Sequence, residues 1–273
     1  MARIVLDQLS QQLGQSIIVE NRGGAGGTIG AAMAARAEPD GYTVLAHSSA
    51  HVTTPAIYPN APYDTARDFV AVAALGSSPN IMVVAPDKAF KTLMDLVATA
   101  KQKAGGMTFG TAGVGSSTHF TTERFRFSAG FEGVHVPFRG MPEVLTGRLD
   151  FCFSTIAPAL PFIRDGKLIA LAVSTPKRSS ALPDVPTTIE LGYANSDYTF
   201  WNGLFLPAKT PHEIVERLHQ EAQKAASLPA VREKLAQQGI DPMPITPAEF
   251  DALVRKEIDE SIALVKAAGI KVN

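Results

Sequence analysis

A segment rich in glycine and hydroxyl residues offers the clearest binding chemistry in this sequence. It reads TAGVGSST over residues 111–118, after a β-rich run and before a helical pattern. A loop that opens a helix presents free backbone N–H groups near the positive end of the helix dipole. Gly113 and Gly115 would let a ligand approach the backbone. Further donors would come from the hydroxyls of Thr111, Ser116, Ser117 and Thr118. The segment therefore suits a carboxylate or other small anion. An ordinary tight turn with Ser117 as N-cap is an equal alternative.

Nucleotide-binding and hydrolase motifs do not match. The GxGxxG template fails at Ile29 in the glycine cluster of residues 23–30, and it fails again at Thr118 in the second cluster. No GxxxxGK[ST] loop and no GxSxG nucleophile elbow occurs in the sequence. We therefore expect no nucleotide cofactor, no other cofactor and no catalytic residue.

Five further residues are candidates for binding or catalysis. His47 and His51 are four residues apart but lack a third ligand, so we expect exposed or cleft-lining histidines and no metal site. His119, just inside a helix start, is expected to support or cap the loop rather than act as a base. Arg139 could pair with an anion, although a surface turn is its commoner setting. Trp201, the only tryptophan, suits the core, a hinge or the wall of a cleft.

Composition indicates a globular protein with a neutral charge balance. The 273 residues are 45% hydrophobic and 19% charged, with a formal net charge of -1. That balance excludes disorder and gives no electrostatic footprint for nucleic acid. No apolar run is long enough to span a membrane. The single cysteine, Cys152, excludes an intrachain disulfide and is expected to be a buried, inert thiol.

Strands alternate with helices over the first two thirds of the chain, which predicts βαβ units and a parallel sheet. The predicted strands are 16–20, 42–46, 81–85, 107–110, 134–136, 151–153, 168–174 and 198–206. The predicted helices are an amphipathic N-terminal helix and 29–36, 92–103, 118–129, 142–147 and 158–164, with one short helix within 175–192. Everything after residue 206 is predicted to be helical. Two helices there begin with a proline at the first position and a capping box, Thr210 with Glu213 and Thr246 with Glu249.

This order predicts an α/β fold with two lobes. We expect one lobe from residues 1–83 plus 203–273, a second from 84–202, and a hinge near 81–86 and 198–207. Two lobes on a two-strand hinge would form a ligand cleft that closes on binding.

Several blocks together resemble the Bug/TctC-type solute receptors of tripartite tricarboxylate transporters. The first is LGQ at 13–15 followed by VENRGGAGG at 19–27, which is similar to the family's LGQPVVVENRPGAGG. The other blocks are PDGYT at 39–43, GTAGVGSSTH at 110–119, HVPFRG at 135–140, ALPDVPT at 181–187, WNGLF at 201–205 and KAAGIK at 266–271. They occur in family order from residue 3 to the C-terminus, so the match is specific although each block alone is weak.

The resemblance implies a type II periplasmic-binding-protein (Venus flytrap) fold and a non-enzymatic receptor for a small carboxylate. The implied ligands are di- and tricarboxylates, acidic amino acids and aromatic carboxylates, held by backbone amides, hydroxyls and waters. The matching positions are Ser48, Ser49, Thr111, Ala112, Gly113, Gly115, Ser116, Ser117, Ser154, Thr155, Trp201 and Asn202. The implied partners are the membrane components of such a transporter, with the receptor a monomer that binds no metal.

The N-terminus departs from the family pattern. Family members carry a signal peptide and a first block of the type IRLIVPFPAGGxxDxxAR, and Ala2-Arg3 matches only its end. We expect the first strand of lobe one to be missing, with weaker stability and weaker ligand binding as the result. The resemblance implies a periplasmic location, whereas the lack of a leader pattern leaves cytoplasmic retention open.

Three other interpretations remain beside the receptor. An α/β enzyme acting on a small carboxylate is possible because fold does not fix function. A truncated paralogue that binds nothing is the second. A LysR-type regulator shares the effector fold but needs an N-terminal DNA-binding domain, for which too few residues precede the first strand.

Overall fold

β-rich runs and amphipathic stretches alternate in the computed structural model, which describes residues 1–137 and 140–270. The strands are β1 Leu45–Ser48, β2 Phe69–Val84, β3 Met107–Thr111, β4 Gly133–Pro137, β5 Phe151–Thr155, β6 Ile169–Val173 and β7 Thr199–Pro207. The helices are α1 Ala2–Leu13, α2 Thr28–Ala35, α3 Ala50–Ile57, α4 Leu93–Gln102, α5 Ser117–Ala129, α6 Met141–Leu145, α7 Ile156–Arg164, α8 His212–Ser227, α9 Pro229–Gln237 and α10 Pro247–Ala268.

The chain divides into two compact units. The first unit contains Met1–Ser77 and the chain from Trp201 onwards, and the second contains Ser78–Phe200. The predicted lobe boundaries follow residues 83 and 202. The observed boundaries follow residues 77 and 200, six and two residues earlier. Each hydrophobic core cluster belongs to a single unit. Strands β2 and β7 pair with each other and each passes from one unit into the other.

The sheet of the second unit brings two loops to one edge. Strand β3 pairs in parallel with β4 and with β5, while β2 runs antiparallel to β5 and β6. Phe109 and Phe151 are register partners whose rings stack, with centroids 5.8 Å apart. Because parallel strands end at the same edge, the segments that follow β3 and β5 both emerge there.

In the first unit, helices cover a smaller antiparallel pair. Strand β1 pairs with β7, and α1 packs against α8 and α9. The apolar spacing of Val5 and Leu9 on α1 buries both side chains in the same core as Leu204 and Leu206 of β7. The predicted N-terminal amphipathic helix is therefore confirmed, and its end at Gly14 takes the left-handed conformation that glycine favours.

Some predicted elements are wrong. Residues 16–20 form no strand: they make no ladder with any described strand, and Ile18 is 84% exposed. The predicted short helix within 175–192 is also missing, since this stretch forms turns. Strand β2 begins at Phe69, twelve residues before the prediction, and helix α3 was not predicted. The alanine-rich first half of β2 is buried on both faces, so it lacks the alternation that marks a half-buried strand.

The two predicted capping boxes have opposite outcomes. The Thr246 box is confirmed: its hydroxyl accepts from the Glu249 N–H at 3.2 Å, and the Glu249 carboxylate accepts from the Thr246 N–H at 2.8 Å. The Thr210 box is wrong, because α8 begins at His212 with Pro211 as its N-cap. The buried Thr210 hydroxyl has no hydrogen-bond partner among the described residues.

Substitution of the two threonines should therefore have opposite effects. Thr246→Ala removes a cap and should lower the free energy of unfolding by about 1 kcal/mol. Thr210→Val replaces an unsatisfied buried hydroxyl with a methyl group and should leave stability unchanged or raise it by up to about 1 kcal/mol. Urea denaturation measures both variants. A Thr210→Val loss as large as that of Thr246→Ala would show that the Thr210 hydroxyl is bonded.

Gly203 in β7 allows a close contact with α10. A Cβ atom built at Gly203 would lie 2.3 Å from Cζ of Phe250, whose side chain is fully buried. Gly203→Ala should therefore overpack this core and lower the free energy of unfolding by about 1–3 kcal/mol. Gly23→Ala is the matched control, because its Cβ would meet nothing within 4 Å. Equal denaturation midpoints for the two variants would contradict the contact.

Candidate functional site

The segment between β3 and α5 turns sharply at the sheet edge. Gly113 and Gly115 have φ angles of 136° and 80°, which residues with a Cβ atom rarely adopt. The predicted strand–loop–helix order is confirmed. The N-cap is Ser116 and not Ser117: the Ser116 hydroxyl accepts from the His119 N–H at 3.3 Å, and α5 begins at Ser117.

Side chains of the loop and of α5 accept hydrogen bonds from three of the loop's backbone N–H groups. The Ala112 N–H donates to Thr118 Oγ1 at 3.1 Å, and the Gly113 N–H donates to Thr111 Oγ1 at 3.2 Å. The Gly115 N–H donates to Nδ1 of His119 at 3.3 Å. The Ser116 hydroxyl donates to the Gly113 carbonyl at 2.7 Å and lies 3.1 Å from Thr118 Oγ1.

This network corrects the predicted donor set. The amides of Ala112, Gly113 and Gly115 and the hydroxyls of Thr111 and Ser116 are used within the protein. Three other amides, those of Val114, Ser117 and Thr118, have no acceptor within the described chain. The last two belong to the first turn of α5, where helical N–H groups lack intrahelical partners. They are the donors left for an anion.

The end of β5 supplies the second predicted group. Ser154 and Thr155 are half-buried at the end of the strand next to β3, and Thr155 is the N-cap of α7 without a side-chain cap bond. The Ser154 hydroxyl donates to the Thr155 carbonyl at 3.1 Å. Two helix N-termini, those of α5 and α7, thus follow neighbouring strands of the second unit. Both present positive dipole ends at the carboxyl edge of that sheet.

A histidine pair lies against the loop. The rings of His119 and His135 stack with centroids 4.3 Å apart, and His135 Nε2 lies 2.6 Å from Thr111 Oγ1. Burial, with smaller contributions from His135 and Arg126, lowers the pKa of His119 to about 3. Burial also lowers the pKa of His135. Both imidazoles are therefore neutral at pH 7, so neither supplies a cation to an anionic ligand.

The remaining predicted residues lie in the first unit. Ser48, at the end of β1, is the register partner of Asn202 on β7, and both are half-buried. The Ser49 N–H donates to the carbonyl of Trp201 at 2.9 Å. These residues form one polar group at the end of the β1–β7 pair.

Trp201 requires a correction. Its side chain is fully buried in the core of the first unit, and its Nε1–H donates to Glu257 at 2.9 Å. The indole packs edge-to-face on Phe250, with centroids 5.1 Å apart. A side chain with no exposed surface and a used N–H cannot contact a ligand, so Trp201 is a core residue.

The rings of His47 and His51 lie with centroids 5.2 Å apart, but the two side chains differ in burial and in hydrogen bonding. His47 is half-buried, and its Nδ1 accepts from the Ser48 N–H at 2.9 Å. His51 is fully buried beside the rings of Tyr63, Phe69 and Phe205, and neither of its ring nitrogens has a hydrogen-bond partner among the described residues. Burial, then the charge of His47, holds the pKa of His51 well below its ordinary value. His51 is therefore neither exposed nor lining a cleft as predicted, because an aromatic cluster encloses it.

Within residues 1–137 and 140–270, no group of three or more His, Cys, Asp or Glu could hold a metal ion. No helix in these residues is long and apolar enough to cross a bilayer. Burial raises the pKa of Cys152 to about 12, which fits the predicted inert thiol. Arg139, the predicted anion partner, lies outside the described residues.

Sequence reasoning missed His135 and the amide of Val114 as parts of the site. His135 is 24 residues from Thr111, and only the pairing of β3 with β4 brings them together. The signal available was the polar histidine within the short β-rich run 134–136 that follows α5. The amide of Val114 is singled out only by the hydrogen bonds of the neighbouring amides, which have acceptors within the protein.

Comparison with known proteins defines the class. A solved structure described as a periplasmic transporter matches with a TM-score of 0.89 and 35% identity, covering 100% of this chain and 93% of that one. A Rhodopseudomonas palustris protein with adipate matches at 0.89 and 29%, with the same coverage. MatC from that organism, with bound malate, matches at 0.84 and 29%, covering 97% and 92%. The fold is that of the periplasmic solute-binding proteins.

The family follows from the sequence matches. The model of the tripartite tricarboxylate transporter family receptor, TctC, matches residues 1–270, and the chain belongs to this family. Protein BugT of Bordetella pertussis is 32% identical over 277 residues, which cover 99% of this chain and 85% of BugT. The family and its structural neighbours are solute-binding receptors, so this protein is a receptor and not an enzyme.

The buried histidines make stability depend on pH. An unfolded histidine binds a proton near pH 6.5, whereas folded His51 does so only well below that value. Between these values the unfolded state binds more protons, so stability falls as the pH falls. One such group should cost about 2 kcal/mol between pH 7 and pH 5.

We therefore expect His51→Leu to lose less stability than the native protein over this interval, by about 2 kcal/mol. Urea denaturation at pH 7 and pH 5 measures the difference. His212→Leu is the control, because its side chain is 86% exposed. If His51→Leu and the native protein lose equal stability, then His51 is not held neutral.

Proposed function

We propose that the protein is a receptor for a small dicarboxylate, bound at the N-termini of α5 and α7 in the second unit. The observation that carries this proposal is that the amides of Val114, Ser117 and Thr118 have no acceptor among residues 1–137 and 140–270. A carboxylate is acceptor-only when ionised, so it complements donors that have no acceptor of their own. Each charge-assisted hydrogen bond of this kind contributes about 1.5–3 kcal/mol.

The proposed site uses neutral groups. Neither the described loop residues nor Ser154 and Thr155 include a lysine or arginine, and His119 and His135 are uncharged at pH 7. Oriented N–H groups can hold an anion without a formal positive charge, as helix N-termini do. Such a site binds the carboxylate group and is tolerant of the ligand body. That tolerance agrees with relatives that hold adipate and malate.

In the first unit, Ser48 and Asn202 remain proposed ligand-binding residues, whereas the side chain of Ser49 has no exposed surface. Strands β2 and β7, which pass from one unit to the other, remain the proposed hinge. As a member of this receptor family, the protein would deliver its ligand to the membrane components of a tripartite tricarboxylate transporter. A periplasmic location agrees with the solved relative described as a periplasmic transporter.

Ser117→Pro tests the carboxylate site directly. Ser117 is the first residue of α5, where proline is tolerated, and Ser116 before it has the extended conformation that proline requires (φ -70°, ψ 159°). The substitution deletes one unpaired N–H and should weaken malate or adipate binding at least tenfold, as measured by calorimetry.

Ser117→Ala is the matched control, since it keeps the N–H and removes only the hydroxyl. It should bind within about threefold of the native protein. If both variants bind equally well, the α5 amides do not hold the ligand. If the native protein binds neither dicarboxylate, the proposed ligand class is wrong.

A further inference from the structure

Two histidines from different elements lie against the anion-binding loop. His119 is the third residue of α5, and His135 belongs to β4. Their rings are nearly parallel, with an interplanar angle of 17°. His135 also stacks on Phe109, with centroids 5.1 Å apart. The stacked rings fix where their nitrogens point relative to β3 and the loop that follows it.

The hydrogen bond to His119 defines its tautomer. The Gly115 N–H donates to His119 Nδ1, so this nitrogen must carry a lone pair. A neutral imidazole with an unprotonated Nδ1 has its proton on Nε2. His119 therefore serves as an acceptor for a glycine peptide whose φ angle of 80° gives it a turn conformation.

His135 has the same role toward Thr111. The Thr111 hydroxyl accepts from the Gly113 N–H, so it must donate its own proton elsewhere. The Gly113 carbonyl lies 3.3 Å away but already accepts from the Ser116 hydroxyl at 2.7 Å and the Ser116 N–H at 3.2 Å. A carbonyl oxygen has two lone pairs. The proton of Thr111 therefore goes to His135 Nε2, 2.6 Å away.

Burial is the main reason why both rings are neutral, because it lowers the pKa of His119 and of His135. On α5, Arg126 lowers the pKa of His119 further, and it is itself paired with Glu123 at 2.7 Å and Glu132 at 3.3 Å. Protonation of His119 Nδ1 would set two donors against each other at Gly115.

We propose that His119 and His135 are positioning residues that, as two neutral acceptors, hold the Gly113 and Gly115 peptides and so keep the amides of Val114, Ser117 and Thr118 free for a carboxylate. The last step rests on the proposed function, whereas the holding of the two glycine peptides does not. Neither histidine contacts the ligand in this proposal. They accept hydrogen bonds from groups of the loop itself, the Gly115 N–H and the Thr111 hydroxyl.

The first test needs no ligand. Nitrogen-15 NMR of the ring nitrogens should find His119 neutral with its proton on Nε2 from pH 8 to pH 5. A His119 with its proton on Nδ1, or one that is charged at pH 6, would overturn the proposal.

The second test uses two substitutions of the same ring. His119→Asn places an amide oxygen near the position of Nδ1, whereas His119→Phe keeps an aromatic ring and removes the acceptor. Hydrogen exchange of the Gly115 amide should rise at least tenfold in His119→Phe and return to within threefold in His119→Asn. A merely structural role of the ring would show the opposite order. If His119→Phe does not fold, exchange in His119→Asn and the tautomer decide.

The third test connects the pair to binding. By calorimetry at pH 8, His119→Phe should bind malate or adipate about tenfold more weakly than the native protein. His119→Asn should bind within threefold, and His212→Phe should be unchanged. Unaltered affinity in His119→Phe, together with faster Gly115 exchange, would refute the link to the ligand. If the native protein binds neither dicarboxylate, the proposed function fails, and the first two tests still decide whether the histidines hold the glycine peptides.

Discussion

A buried peptide N–H needs an acceptor, and this requirement governs the turn between β3 and α5. The turn needs glycines for its left-handed angles, and glycines have no side chain to supply acceptors. Thr111, Thr118 and His119 supply acceptors for three amides of the turn, those of Ala112, Gly113 and Gly115. Because these side chains come from the strand end and the helix start, the turn has its shape only when both elements are in place.

The sheet of the second unit provides that placement. Parallel pairing of β3 with both β4 and β5 fixes the register in which the strands end. The stacked rings of Phe109 and Phe151 lie on β3 and β5, shortly before these ends. His135 is on the same strand pair, so its nitrogen reaches Thr111 through register alone. A one-residue slip of β4 would turn His135 to the other face of the sheet.

The local parts of this arrangement could be predicted from the sequence. The β-rich run, the glycines and the helical pattern after Ser116 indicated a loop at a strand end with anion-binding chemistry. The Thr246 capping box was readable for the same reason, since both partners lie within four residues. Prediction failed where distant residues decide the outcome. The contact of Thr111 with His135 joins residues 24 positions apart. The resemblance placed Trp201 among the ligand-binding positions, whereas its packing on Phe250 and its bond to Glu257 depend on the distant helix α10.

The divided first unit has a consequence for the order in which the chain can fold. Residues 78–200 are continuous, so the second unit can complete its core before the ribosome has synthesised the chain from Trp201 onwards. The apolar face of α1 cannot: Val5 and Leu9 pack with Leu204, Leu206 and Val215, about two hundred residues later. During synthesis the apolar face of α1 cannot be fully buried until β7 and α8 leave the ribosome. A segment that is synthesised before β7 and α8 thus completes its burial only after them, and until then its apolar face is open to premature association.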